Sequence, residues 1–219
     1  MIASSMLRIS KADLASMSKL QRLNLVNSLS GYKSANLIGT SSENGNTNLA
    51  ILSSVIHLSS SPALMGFMQR PAVVPRHTYQ NIREKGYFTL NHIQKEFAQN
   101  AHYTSAKFEK DQSEFDHCGF TEEIIDDFPA PFVKESLLKI ALKYTEEYPI
   151  KSSNTILVVG SIEEVYLPSG AMLDNGQLDL NIINSVCISG LNNYHTASQF
   201  ASFDYARPGS FPLNTFGQK

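Results

Sequence analysis

The sequence of 219 residues predicts a mainly β fold, an antiparallel barrel or sandwich with helical insertions. Two observations favour this class. At least six apolar segments of strand length are joined by short turns. Helical patterns fall between some of these segments rather than after every one, so the regular alternation of a doubly wound α/β fold is missing.

Composition and charge restrict the classes of function. Hydrophobic residues make up 42% of the chain and charged residues 17%, and the length favours a single domain. The net charge of -2 argues against general binding to nucleic acid or to anionic membranes, because such proteins need a basic excess. No segment reaches the ~20 apolar residues of a membrane span, and no signal peptide is recognisable. We therefore expect a cytoplasmic protein.

Motifs of metal, nucleophile and dinucleotide sites are missing from the sequence. Cys118 and Cys187 are far apart, so we expect two unpaired, buried thiols. The six histidines lack the spacing of a metal site, and neither Gly-x-Ser-x-Gly nor Gly-x-Gly-x-x-Gly occurs. We predict no catalytic side chain, which suits an enzyme whose cofactor carries the reaction.

The first half of the chain begins with a helical pattern and continues with strands. Ser10 is the predicted N-cap of a helical segment that starts near Lys11 and stops at Gly31. The pattern fits either one long helix or two short helices that meet around residues 16–18. Asn44-Gly45 between apolar segments predicts a β-hairpin whose second arm runs to Ile56. A third strand over 63–68 ends at Arg70-Pro71, because proline cannot continue a central ladder.

The second half alternates short helices with longer strands. Thr78 is the predicted N-cap of a helix over 79–85, with Gly86 as its stop and a fourth strand over 87–92. Further helices are predicted over 94–101 and 111–117, and 119–135, which holds two prolines, is predicted to be a loop crossing the surface. The pattern then predicts a half-buried strand over 137–148, a more apolar strand over 154–167, a turn at 174–176 and an aromatic tail.

A cationic and hydroxyl-bearing group at a predicted helix start is the strongest candidate for a binding site. Arg70, Arg76, His77 and Thr78 fall within nine residues. The free N–H groups and positive dipole end of a helix favour phosphate, and arginine adds bidentate hydrogen bonds. A solvated polar loop with an ordinary threonine cap fits the same residues, so both interpretations stay open at this point. The serines at 53, 54 and 59–61 could likewise form a solvent face or a ligand face.

A set of short segments, spread over roughly residues 31–208, forms a pattern through its order and spacing. These segments are Asn36-Leu37-Ile38-Gly39-Thr40, Asn48-Leu49-Ala50, Ser53-Ser54, Ser61-Pro62, Arg70-Pro71, His77-Thr78, Asn81-Ile82, Asn91, Thr104-Ser105-Ala106, Ser113-Glu114-Phe115, Asn154-Thr155, Val159-Gly160, Ser189-Gly190-Leu191 and Tyr205-Ala206-Arg207-Pro208. In this order and spacing they resemble the flavin reductase-like family, the FMN-binding split-barrel proteins related to flavoredoxin.

The resemblance implies a Greek-key split barrel and a homodimer that holds FMN at the subunit interface, with FAD less expected. Carried over residue by residue, the edge of the flavin ring would be lined, mostly by backbone groups, by Asn48, Ala50, Ile51, Leu52, Ser53 and Ser54. The phosphate would be bound by Arg70, Arg76, His77 and Thr78, with Asn81 supporting the turn. His102 and Ser105 would reach the flavin from the next helix. Departures from the family pattern are His102, where asparagine is frequent, and His195, where tyrosine is frequent.

The function that the resemblance implies is an NAD(P)H-dependent flavin oxidoreductase, in which hydride passes from the nicotinamide to the flavin. Three alternatives stay open: an FMN-binding electron carrier without NAD(P)H turnover, an enzyme like pyridoxine-phosphate oxidase, and a binding protein without a redox role. We expect an N-terminal helical extension over 1–30, a split-barrel domain over 31–208 and a C-terminal tail over 209–219.

Overall fold

The chain is described by a computed structural model that covers residues 6–71 and 76–217. The outermost residues of both predicted extensions, and the connection that leads from Pro71 to Arg76, lie outside the described residues. The strands, numbered in chain order, are β1 Lys33–Ser34, β2 Asn36–Ser41, β3 Thr47–Leu52, β4 Ile56–Ser60, β5 Ala63–Gln69, β6 Tyr87–His92, β7 Glu122–Glu123, β8 Phe132–Val133, β9 Lys139–Ile150, β10 Thr155–Tyr166, β11 Val186–Ser189 and β12 Asn193–Thr196. The helices are α1 Lys11–Ser16, α2 Lys19–Ser28, α3 His77–Lys85, α4 Ala98–Tyr103, α5 Glu114–Cys118 and α6 Leu180–Ile183, with a 3₁₀ turn at Lys95–Phe97.

Seven strands form one curled antiparallel sheet in the order β3-β2-β6-β9-β10-β5-β4. The long pair β9 and β10 carries two register shifts, and such bulges bend and twist a sheet. Near the open side, the Ser54 hydroxyl that follows β3 accepts the N–H of Met68 in β5 at 3.2 Å. The predicted mainly β fold with helical insertions is confirmed, and β3 and β4 are the two edges of its main sheet.

The core consists of two main apolar clusters on opposite faces of β2 and β3. One contains Phe67 and Phe88, whose rings meet edge to face at 5.8 Å, together with apolar residues of β9 and β10. The other lies under α4, α5 and the small sheet β1-β11-β12, and includes Leu37, Leu49 and Phe115. All six residues of β2 are buried, because both of its faces are covered. Because β3 pairs with β2, the burial of β2 on both faces also holds β3 in place.

The N-terminal segment forms two short helices, which settles the question that the sequence left open. Each has a capping box: Ser10 pairs with Asp13 at the start of α1, and Ser18 pairs with Gln21 at the start of α2. These reciprocal bonds satisfy N–H groups that a helix start leaves free. None of the described residues of α1 or α2 is buried, so local capping contributes more to these helices than core packing does.

The hairpin and the helix after β5 match the predictions except at one cap and at the end of the second arm. That arm stops at Leu52, and Ile56, where it was predicted to end, begins the separate strand β4. β2 and β3 pair antiparallel around the Asn-Gly turn, with Gly45 at φ +86°, a conformation that suits glycine. Gly86 ends α3 at φ +76° as predicted. The prediction that Thr78 is the N-cap is wrong: the helix begins at His77, and Arg76 is its N-cap. The Thr78 hydroxyl accepts a hydrogen bond from Asn48 instead.

The prediction of a surface loop over 119–135 is wrong for its second half. Residues 130–133 are buried and include β8, which pairs with β7. Two side chains of β6 hold this part against the sheet, since Thr89 Oγ1 donates to Pro131 O at 2.7 Å and Asn91 Oδ1 accepts the N–H of Val133 at 3.0 Å. The prolines in the sequence indicate irregular backbone but do not show whether it is buried. The hydrogen bonds that hold this segment against the sheet come from residues 42 positions away. The helix predicted over 94–101 is present as the 3₁₀ turn followed by α4. The helix predicted over 111–117 is present but shortened to α5.

Gly39 in β2 gives a direct test of this packing. A Cβ at this position would collide with the carbonyl oxygen of Pro131 and lie 2.7 Å from Thr89 Oγ1. We therefore expect Gly39→Ala to lower the free energy of unfolding by about 1–3 kcal/mol, the usual cost of overpacking. The measurement is urea denaturation, with Ser152→Ala in an exposed turn as a control expected to change stability by less than about 0.5 kcal/mol. An unchanged urea midpoint for Gly39→Ala would show that the segment yields without cost.

Candidate functional site

A polar cleft opens between the β2–β3 hairpin, the start of α3 and the loop that precedes α5. It encloses about 250 Å³, including space open to solvent. Its lining residues are Ser42, Asn46, Thr47, Asn48, His77, Asn81, Lys110 and Gln112. Only about 10 Å³ of this space is accessible to the centre of a water molecule, so the site is a narrow surface cleft, whereas pockets that enclose whole small molecules measure about 300–1,000 Å³.

Two amide side chains fix the start of α3 beside this cleft. Asn48 Nδ2 donates to Thr78 Oγ1 at 2.9 Å, which joins β3 to the first turn of the helix. Asn81 Nδ2 donates to Thr40 Oγ1 at 3.1 Å, and both residues are buried. Because the first N–H groups of a helix have no partner within it, the locked first turn presents hydrogen-bond donors and a positive dipole end. This arrangement favours an anion.

Arg76 adds an unsatisfied donor at the same helix start. Its Nε atom is buried and has no hydrogen-bond partner among the residues that the structure describes. Arg76 as a whole is half-buried, and a buried donor atom without a partner is costly, which makes a bound anion a favourable partner. Arg76, His77 and Thr78 are consecutive at the helix start, and Asn48 and Asn81 hold that start in place.

The second part of the site is the free edge of β3. This strand pairs with β2 on one side only, and on the other side the N–H of Leu49 donates to Glu114 Oε2 at 2.9 Å. Backbone groups in an antiparallel pair alternate in direction with a period of two, so those of Ile51 face the same free edge. The side chains of Ile51 and Leu52 pack against different core clusters. The strand can therefore offer a ligand its backbone while its apolar side chains stay in the core.

Glu114 of α5 is the buried carboxyl group that closes one position of this edge. Burial raises its pKa, an effect that the N–H of Leu49 partly opposes by favouring the charged form. The preceding residue, Ser113, shares a hydrogen bond of 2.9 Å with Thr47 Oγ1. Two adjacent residues thus attach α5 to the start of β3, and the nearest edge N–H beyond them belongs to Ile51.

The structure does not bring every predicted residue to the cleft. Arg70 is exposed, and its charge adds to the burial that lowers the pKa of Lys33. The hydroxyl of Ser54 is bonded to the backbone of Met68. His102 Nδ1 lies 3.0 Å from Tyr194 Oη, and burial raises the pKa of Tyr194 to about 12.

The remaining predicted residues are distributed around this arrangement. Ser105 Oγ donates to His102 O at 2.7 Å in the same segment. Ala50 packs against the core cluster of Phe67, and Ser53 lies between β3 and β4, half-buried. Among the predicted residues, Asn48, His77 and Asn81 line the cleft, with Thr78 bonded to one of them. The roles predicted for all these residues stay predictions.

Sequence reasoning missed several residues of the site, above all Lys110 and Glu114. Lys110 stands in the mixed-charge stretch Lys107–Asp111, which reads as a solvated loop. Glu114 belongs to a segment that carried the family resemblance, but nothing in its spacing indicated a bond to Leu49, 65 residues away. Both reach the site through tertiary packing, so the only available signal was the family pattern around 113–115.

Comparison with known protein families identifies the chain. The family model described as "Flavin reductase like domain" matches residues 29–180. The chain belongs to the flavin reductase-like family. A solved structure from Shewanella frigidimarina NCIMB 400, provisionally described as a flavin reductase with a split barrel domain, is 46% identical with a TM-score of 0.88. That similarity covers 91% of this chain and 100% of the other.

More distant solved structures share the fold. Nitrilotriacetate monooxygenase component B from Bacillus cereus is 17% identical with a TM-score of 0.79, covering 91% of this chain and 100% of that one. Flavoredoxin of Desulfovibrio vulgaris (Miyazaki F) is 22% identical with a TM-score of 0.68, covering 82% and 92%. The curated proteins include no significant match. At these identities the likeness supports the split-barrel fold, and the family membership supports binding of a flavin.

The described part of this family member was also searched for other kinds of site. Within residues 6–71 and 76–217, no three or more His, Cys, Asp or Glu residues are placed to hold a metal ion. Over the same residues, no helix is long and apolar enough to cross a membrane. Both cysteines are free thiols, and the expectation that both are buried is met for Cys118 and wrong for Cys187, which is half-buried.

The raised pKa of Glu114 predicts a pH effect on stability. A carboxyl group whose pKa is raised by folding stabilises the folded state fully below its usual pKa of 4.5, and this contribution is lost as pH rises through the raised value. Glu114→Gln keeps an acceptor for the N–H of Leu49 but cannot ionise. We therefore expect the stability of the wild type, measured relative to this variant by urea denaturation, to fall as pH rises above 4.5.

The matched control is Glu43→Gln in the exposed hairpin turn, where the change should leave the pH profile of stability close to that of the wild type. Parallel profiles for Glu114→Gln and the wild type would contradict the assignment of a costly buried charge.

Proposed function

We propose that this protein is an NAD(P)H-dependent flavin oxidoreductase that uses FMN. One observation supports this most: the start of α3, which suits an anion, is joined through the bond between Asn48 and Thr78 to the strand with a free backbone edge. An anion site and a row of backbone donors and acceptors next to each other match a molecule with a phosphate at one end and a planar, hydrogen-bonding ring at the other. FMN has both.

The residues would divide the work of binding between two ends of the site. Arg76, His77 and Thr78 would hold the phosphate at the helix start, with Asn48 and Asn81 keeping that turn in place. The backbone of Ile51 would orient the ring edge. Bound FMN would supply the redox chemistry by accepting a hydride from the nicotinamide and passing electrons to a second substrate. The protein would contribute orientation and close approach, which can account for large rate effects without an acid or base.

The cleft supports FMN over FAD. A terminal phosphate monoester ends the FMN molecule and can lie in a small polar cleft, whereas the diphosphate of FAD must continue into an adenosine. The cleft is narrow and lined by polar residues, which suits the first arrangement better. An adenosine would also profit from an apolar or aromatic surface, and none of the lining residues provides one.

The proposal includes a homodimer with the flavin at the subunit interface. The last described part of the chain, residues 200–217, folds back on itself, with Thr215 N–H donating to Ser202 O at 2.7 Å, yet its aromatic rings are exposed: Tyr205 is 85% and Phe211 91% exposed. Exposed apolar surface of this kind usually marks a contact with another molecule. We assign residues 1–30 and 209–219 to extensions of a domain over 31–208, and we place the protein in the cytoplasm, where its free thiols stay reduced.

The alternative of an FMN-binding electron carrier uses the same site. The similarity to flavoredoxin lies in the fold and does not distinguish a carrier from an enzyme. The difference lies in reactivity with pyridine nucleotides, and an enzyme like pyridoxine-phosphate oxidase would differ in its substrate. One set of measurements therefore separates the three.

The test of the proposed function is turnover by the purified full-length protein. NADH or NADPH is mixed with the protein and FMN under air, and nucleotide oxidation is followed against the same mixture without protein. We expect oxidation well above the free-flavin background with at least one nucleotide, and release of FMN rather than FAD from the protein on denaturation. Tight flavin binding without turnover of either nucleotide would favour the electron carrier, and no flavin binding would refute the whole proposal.

Removal of the aromatic tail tests the dimer. We expect a chain ending at Pro208 to show a lower mass by size-exclusion chromatography with light scattering, or weaker retention of flavin, because the exposed rings of Phe211 and Phe216 are lost. Phe211→Leu, which keeps an apolar residue at the most exposed ring position, is the matched control and should behave more like the wild type. If neither mass nor flavin retention changes on truncation, the tail has no part in the interface.

A further inference from the structure

Lys110 is a cation of the cleft to which neither the sequence pattern nor the family model assigns a role. It lines the cleft together with His77 of α3, although the two residues come from different segments of the chain. None of the described residues that line the cleft carries a carboxylate, and the other six are amides and hydroxyls. The cleft therefore combines one lysine, one histidine and neutral hydrogen-bonding groups, which is the composition of an anion site.

The loop that carries Lys110 is anchored on both sides of this residue. Gln112 N–H donates to Glu109 O at 3.0 Å, and Glu109 N–H donates back to Gln112 Oε1 at 3.2 Å, which closes a turn around positions 110 and 111. Just beyond the turn, Ser113 and Glu114 are bonded to Thr47 and Leu49 of β3. Lys110 therefore lies in a hydrogen-bonded turn, and this turn is attached to β3, which forms one wall of the cleft.

Lys110 also has no competing partner in the part of the chain that is described. The ion pairs there join Arg83 to Glu147 and Lys139 to Glu123, and neither involves Lys110. Lys110 is an exposed residue among the amides and hydroxyls that line the cleft. A lysine that meets a phosphate needs such a position, with its ammonium group free to turn toward the oxygens.

We propose that Lys110 is a specificity-determining residue that recognises the phosphate monoester of FMN across the cleft from α3. This inference rests on the proposed function and deepens it. The helix start, with a partial charge of about +0.5, and the Arg76 guanidinium together offset at most about 1.5 of the charge of about −1.5 to −2 that a phosphate monoester carries near neutral pH. Lys110 supplies the remaining positive charge, so it discriminates FMN from riboflavin, which has the same ring and no phosphate.

NADPH also carries a phosphate monoester, at its 2′ position, and is the second molecule that this cleft could recognise. The position of the cleft favours the flavin, because Asn48 connects the cleft to β3, whose free edge suits the ring. A nucleotide phosphate in this cleft would displace the flavin phosphate from the helix start. The two sources differ in what a change at Lys110 affects: the affinity for FMN in the first case, and the preference for NADPH over NADH in the second.

The experiment compares Lys110→Met with Lys107→Met, a matched change at an exposed lysine of the same loop that does not line the cleft. Full-length protein freed of flavin is titrated with FMN and with riboflavin, and binding is followed by the quenching of flavin fluorescence. We expect Lys110→Met to weaken FMN binding about tenfold at low salt, in keeping with the loss of a charge-assisted hydrogen bond, and to leave riboflavin binding unchanged. Lys110→Arg should retain most of the affinity, and Lys107→Met should match the wild type.

Each other outcome overturns the inference in a recognisable way. Equal losses for FMN and riboflavin would mean that Lys110 supports the fold or the ring rather than the phosphate. Unchanged FMN affinity with a raised KM for NADPH alone would assign the cleft to the nucleotide, and unchanged values throughout would make Lys110 a surface residue. If the wild type binds neither FMN nor riboflavin, the proposed function fails. If the wild type binds both flavins equally, the phosphate is not recognised and only the inference about Lys110 fails.

Discussion

The unpaired side of β3 is the constraint around which the site is built. An edge strand leaves a row of N–H and C=O groups without strand partners, and proteins must cover such a row, satisfy it or use it. In this protein Glu114 satisfies the N–H of Leu49, while Ile51, two residues further on, keeps its backbone turned toward the open side. Because both faces of the strand are packed in core clusters, the edge is rigid. A flat, hydrogen-bonding ring could therefore meet a preformed backbone edge.

The same strand also determines where an anion can bind. Asn48 belongs to β3, and its side chain reaches Thr78 in the first turn of α3, so the position of the helix start depends on the position of the edge. Asn81 adds a buried bond from the helix to Thr40 of β2. Removing either amide would leave a hydroxyl with one partner fewer, which makes this part of the structure sensitive to substitution. The distance between the two ends of the ligand site is thus built into the hairpin and the helix together.

Local signals in the sequence were enough for most of the fold. The Asn-Gly turn, the prolines and the stop at Gly86 located the strands and α3, because each acts through the backbone of its own segment. The errors arose where distant residues decide. Thr78 has the chemistry of an N-cap but is engaged by Asn48, 30 residues earlier, and the segment before Val133 is buried by side chains of β6.

The candidate site divides in the same way. His77 and Asn81 could be proposed from a helix start and a family pattern, whereas Lys110 enters the cleft through a loop whose own pattern is that of a solvated surface. Glu114 is the clearest case, since its role is a single bond to the backbone of Leu49. Because Leu49 takes part through its backbone N–H, its residue type does not indicate this bond, and only the three-dimensional structure reveals it.

Asn91 in β6 makes the position of the segment around Val133 depend on the pairing of β2 with β6. Its amide nitrogen donates to Leu37 O of β2 and to Thr89 Oγ1, and its amide oxygen accepts the N–H of Val133. The first two bonds orient the side chain, and the third uses that orientation. The segment around Val133 is therefore held by a side chain whose orientation depends on the pairing of β2 with β6, across a separation of 42 residues in sequence.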